Sequence, residues 1–102
     1  MPTCVLVIED NFTNLELICY LLRAFGYEPL TAGDGAEGVA AARREVPDII
    51  LCDIHLPKMD GYQVAQTLKS DSVTSKIPLI AVTAWQWWAI RTRSGARDLT
   101  VI

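Results

Sequence analysis

Several features are scarce in this sequence, and each scarcity excludes something. The longest apolar stretch, Leu79 to about Ile90, is broken by Thr83 and Gln86 and is too short to cross a bilayer. Basic charge is not in excess: nine Lys and Arg stand against twelve Asp and Glu, a formal charge of −3. A binder that grips nucleic acid through its phosphates needs a basic surface, so direct DNA or RNA binding is not expected. The three cysteines, Cys4, Cys19 and Cys52, are odd in number and show no C-x-x-C spacing. Neither a disulfide framework nor a zinc site is expected from them, and a reducing cytoplasm suits them as small core residues. The start, Met-Pro-Thr-Cys, carries no basic segment, and Glu9-Asp10 interrupts the first apolar run, so no signal peptide is read. No internal repeat or low-complexity linker is present. What remains is a 102-residue chain with 51% apolar and 21% charged residues, enough for one small domain with its own core.

Short apolar runs alternate with segments of helical period. Val5-Leu6-Val7-Ile8 is continuous and β-branched, as in a strand buried on both faces. Asn11 or Thr13 can cap the helix that follows, Thr13 with Glu16 as a capping box; Leu15, Ile18, Leu22 and Phe25 share its inner face, and Gly26 stops it. Tyr27 to Ala32 reads as a strand, placed at a sheet edge because Pro29 lacks a ladder donor. Asp34 caps a helix over 35–45 that Pro47 ends. Asp48 to Asp53 is a central strand, 55–61 a loop, Tyr62 to Ser70 a helix facing inward through Val64, Ala65 and Leu68, and Leu79 to Val82 a fourth strand closing at Thr83. This alternation predicts an α/β fold, a parallel sheet wrapped by helices. Trp85 to Ile102, with three tryptophans and Arg91, Arg93 and Arg97, follows neither period.

Three strands end in polar residues: the first at Glu9-Asp10, the third at Asp53, the fourth at Thr83. In an open parallel sheet the ligand crevice lies beyond the carboxyl ends of the strands, so these groups converge. Carboxylates held together repel, and one takes up a proton unless a cation neutralises them. Hard oxygen donors of this kind suit Mg²⁺, with the backbone carbonyl of His55, two residues past Asp53, as a further ligand. The His55 side chain reads as an exposed loop group and Asp60-Gly61 as turn chemistry.

These residues resemble the receiver domain of two-component response regulators, of the single-domain or hybrid-kinase type. The resemblance rests on Val5-Leu-Val-Ile-Glu9-Asp10-Asn11, on Ile50-Leu-Cys-Asp53-Ile-His-Leu-Pro57-Lys-Met-Asp60-Gly61 and on Ile77-Pro78-Leu-Ile-Ala-Val-Thr83-Ala84. It implies a doubly wound, flavodoxin-like sheet of order 2-1-3-4. It implies Asp53 as phosphoacceptor, Mg²⁺ held by Glu9, Asp10, Asp53 and the His55 carbonyl, and Thr83 as the hydroxyl that reaches for the phosphoryl group. The implied function is phosphorelay signal transduction: a histidine kinase or histidine phosphotransfer protein supplies the phosphoryl group, and a changed surface meets a downstream protein. Apart from its own phosphorylation and dephosphorylation the chain is not expected to be an enzyme. A degenerate interaction domain that takes no phosphate is the main alternative. A Mg²⁺-dependent phosphohydrolase is a weaker one, because the Asp-x-Asp of dehalogenase-type phosphatases is absent after the first strand.

The likeness covers residues 4–84, giving a receiver-like core over 1–84 and a divergent tail over 85–102. The Gly-Asp turn, fifth strand, Lys-Pro and last helix with which the family continues are not found in that tail. Joining the last base of each codon to the first two of the next turns Trp85 to Ile90 into Ala, then Met or Val, then Val and Gly, and permits Asp last, close to the family's sequence there. A frameshift after Ala84 is therefore the expected origin of the tail, with a partner-binding tryptophan surface as the competing reading. Loss of the fifth strand and last helix is expected to expose the fourth strand's edge and an apolar face, favouring marginal stability and dimerisation through that edge.

Overall fold

A computed structural model of the protein describes residues 3–53, 56, 59–82 and 100–101. The elements are β1 (Cys4–Ile8), α1 (Phe12–Ala24), β2 (Glu28–Ala32), α2 (Gly35–Glu45), β3 (Ile49–Asp53), α3 (Gly61–Lys69), β4 (Leu79–Val82) and β5 (Thr100–Val101). All pairings are parallel, in the order β2-β1-β3-β4-β5. The 2-1-3-4 arrangement is the one the resemblance implies. Beside it, where the sequence reading had no fifth strand, Thr100–Val101 pairs with Ile80 and Ala81. The edge of β4 is thus closed over two residues, because unpaired backbone groups take any extended segment within reach.

Helix ends follow local chemistry. Asn11, rather than Thr13, caps α1: its Oδ1 accepts from the Asn14 N–H at 3.0 Å. Gly26 adopts φ +85° and ends the helix, as expected. Phe25, placed on the inner face from its spacing, instead forms the C-cap and is 77% exposed, because the helix ends before that face is completed. Asp34 caps α2 through the Glu37 N–H at 2.7 Å. Asp60, read only as a turn former, caps α3 in a reciprocal box with Gln63, which moves the helix one residue earlier than expected.

The core lies on one face of the sheet. Leu6, Ile8, Ile50, Cys52 and Leu79 pack there against Ala41 and Ala42 of α2 and Val64, Ala65 and Leu68 of α3. Gly38 permits the approach, since a Cβ there would stand 2.7 Å from Ile8 Cγ1. A Cβ at Gly35 would stand 3.0 Å from the Met59 Cβ, so the loop after β3 is tucked against the start of α2. Leu56 in that loop is also buried. On the opposite face α1 packs over β1 and β2. Val5 and Val7 are buried there, while Ile49, Leu51 and Ile80 on the same face are half-buried. Lys69 steers the chain into β4 by donating from Nζ to the carbonyls of Ser75 (3.1 Å) and Ile77 (2.8 Å).

Candidate functional site

The chain leaves β1, crosses to β2 on one side and returns as β3 on the other. Strand order therefore reverses between β1 and β3, and the crevice opens at their carboxyl ends. Ile8 is opposite Cys52, so the next residues, Glu9 and Asp53, come level with each other. Carboxylate oxygens of Glu9, Asp10 and Asp53 lie within 4.8 Å of one another. Asp53 is also opposite Val82 at the end of β4.

The three acids sit in unequal surroundings. Glu9 is buried, Asp53 half-buried and Asp10 exposed. Glu9 Oε1 accepts from Asn14 Nδ2 at 3.2 Å and from the Asn11 N–H at 3.3 Å, which anchors it to the first turn of α1. Burial, together with a hydrogen bond to Asp53 and the negative charge of Asp53, raises the Glu9 carboxyl to about 7, against the smaller opposing pull of Asn14 and Asn11. A carboxyl buried against a second carboxylate holds its proton more tightly than one in water. An all-oxygen, acidic donor set fits a hard divalent ion such as Mg²⁺. Next to the site, burial first and then the charges of Asp53 and Glu9 raise the Cys52 thiol to about 12, which leaves it protonated and unreactive.

Glu9, Asp10 and Asp53 are thus brought together as the sequence reading requires. His55, with its carbonyl, and Thr83 lie outside the described residues. Asn14, whose side chain holds the buried acid, is a site residue beyond those expected from the sequence. Its signal was an amide one turn into the helix that begins directly after the acid pair. Among the described residues no helix is long and apolar enough to cross a membrane.

The chain resembles known proteins in both sequence and fold. The family model for the response regulator receiver domain matches residues 5–96. The polar-differentiation response regulator DivK of Brucella anthropi is 44% identical over 85 residues, covering 83% of this chain and 69% of that one. The receiver domain of a sensor histidine kinase from Pseudomonas aeruginosa, with a magnesium ion coordinated in its active site cleft, superposes with a TM-score of 0.83 at 31% identity, covering 99% of this chain and 85% of that one. The chemotaxis response regulator CheY4 of Vibrio cholerae gives a TM-score of 0.87 at 25% identity, covering 99% and 84%.

Proposed function

We propose that Asp53 is the phosphoryl acceptor of this chain, which belongs to the response regulator receiver domain family and acts in phosphorelay signal transduction. The observation that carries the reading is the convergence of Glu9, Asp10 and Asp53 at the point where strand order reverses. In the transfer, a carboxylate oxygen of Asp53 forms the new P–O bond while the P–N bond to a donor phosphohistidine breaks. The imidazole nitrogen leaves with that bond's electron pair and takes up a proton. Glu9, Asp10, Asp53 and the His55 carbonyl would hold Mg²⁺. When bound, that ion supplies positive charge against the repulsion between carboxylate and phosphoryl oxygens.

The chain's own residues do the positioning. Asn11 and Asn14 fix the buried Glu9, and the register of β3 on β1 sets Asp53 beside it. Thr83 directly follows Val82, which is opposite Asp53, and its hydroxyl would donate to a phosphoryl oxygen. The added charge and acceptor oxygens bias the surface at that end of the sheet toward a second packing, which a downstream protein reads. The donor is a histidine kinase or histidine phosphotransfer protein, catalysis is confined to the chain's own phosphorylation and its reversal, and the setting is the cytoplasm. The phosphoacceptor unit is residues 1–84 and the divergent tail is 85–102, although the family match runs on to residue 96. Resequencing the gene through codon 84 tests the frameshift origin of that tail.

The test of function is incubation with Mg²⁺ and a small-molecule phosphodonor, followed by mass spectrometry. A gain of one phosphoryl group, absent when Mg²⁺ is chelated beforehand and absent in Asp53→Ala, is the expected result. No gain, or a gain that survives Asp53→Ala, overturns the assignment.

A further inference from the structure

A second surface stands apart from the acids. Along α1, Phe12, Glu16, Cys19 and Arg23 follow one another at spacings of four, three and four, so they form a single stripe. With Leu15, Tyr20 and Thr31 of the edge strand β2 they line an open groove of about 560 Å³. Of the thirteen residues of α1, Cys19 alone is buried, while Phe12 is 70% and Tyr20 69% exposed. Two aromatic rings left in water beside a groove are the usual makings of an interface anchor. Among the described residues neither Glu16 nor Arg23 has an ion-pair partner.

The charges on this stripe decide what fits it. Glu16 and Arg23 lie two turns apart, one of each sign, at equal distances from the midpoint between Cys19 and Tyr20. A second α1 laid alongside in parallel sets acid against acid and base against base. Laid antiparallel across a two-fold axis at that midpoint, it sets each Glu16 against the partner's Arg23, twice over. Phe12 then runs toward the far end of the partner's helix, where Phe25 and Tyr27 are also exposed. A two-fold contact of this kind is self-complementary and closes at two copies. We infer that the α1 groove is a homodimer interface, formed by antiparallel packing of α1 from two copies of this chain around paired Glu16–Arg23 contacts.

This inference goes beyond the phosphoacceptor reading and is tested without any phosphodonor. Sedimentation equilibrium of the full chain over a range of concentrations is expected to show a monomer–dimer system with no larger species. Glu16→Arg and Arg23→Glu are each expected to raise the dissociation constant about tenfold, because each turns two attractive contacts repulsive. The doubly substituted Glu16→Arg/Arg23→Glu chain restores opposite pairing and is expected to dimerise as the parent does. Circular dichroism confirms that these solvent-facing variants are folded. A monomer at every concentration, open-ended association, failure of the double variant to recover, or a dimer indifferent to either single change (as pairing through the β4 edge would be) overturns the inference.

Discussion

At the scale of single residues, Glu9 is the most consequential side chain. Its carboxyl is raised from an ordinary 4.5 to about 7, first by burial and then by Asp53. Between those two values the folded chain retains a proton that the unfolded chain has released, so stability falls as pH rises through the window and levels off above it. In metal-free solution the thermal midpoint is therefore expected to drop between about pH 4.5 and 7. Glu9→Gln, which has no proton to lose, is expected to flatten most of that slope. Saturating Mg²⁺ is expected to raise the midpoint more at pH 8 than at pH 5, because only the ionised site binds the cation. Thermal melts across pH, with and without Mg²⁺, check all three outcomes. Glu9, Asp10 and Asp53 were legible in the sequence because Glu9-Asp10 and Asp53 are the acids at which two apolar runs stop, and parallel strands end together. Asn14 was not, because its role depends on how the first turn of α1 is rotated toward the buried acid.

At the scale of elements, α2 ends on an unfavourable residue. Val46 forms its C-cap at φ 44° and ψ 65°, a left-handed conformation that a β-branched side chain resists. The left-handed penalty is about 1–2 kcal/mol, and glycine's extra backbone entropy returns about 0.5–1 kcal/mol of it. Val46 is 51% exposed, so little packing is lost by replacing it. Val46→Gly is therefore expected to stabilise the protein by roughly 0.5–1 kcal/mol, read from the shift in urea midpoint at unchanged slope. Elements whose limits are set by local chemistry were well foreseen: Asp34 capping α2, Gly26 closing α1 and Pro29 sending β2 to an edge. The errors fall where local signals compete. Asn11 and Thr13 both could cap α1, and only the backbone path out of Glu9-Asp10 decides for Asn11. Phe25 obeyed the helical spacing but sat past the last turn. The pairing of Thr100–Val101 with β4 joins segments far apart in sequence, and no local pattern announces it.

At the scale of the whole molecule, the sheet is unequally covered. One face packs continuously against α2 and α3; on the other, α1 shields Val5 and Val7 and leaves Ile49, Leu51 and Ile80 half-buried. Local opening costs least where apolar contacts are fewest. Amide exchange is accordingly expected to be slowest in β1, which has a strand on either side and helices on both faces. It is expected to be clearly faster in β4, whose outer neighbour pairs over two residues. Residue-resolved hydrogen exchange checks this, and equal protection of the two strands would contradict it.

The far rim of the sheet has its own consequence. The Glu28 N–H points inward to the Thr3 carbonyl, so the alternation of a strand directs position 29 outward, where Pro29 has no N–H to offer. A neighbouring molecule that tried to extend the ladder past β2 would meet a missing rung. Stacking of molecules through their sheets is thus disfavoured at this rim, and any assembly that needs both rims of every molecule is weakened at each β2.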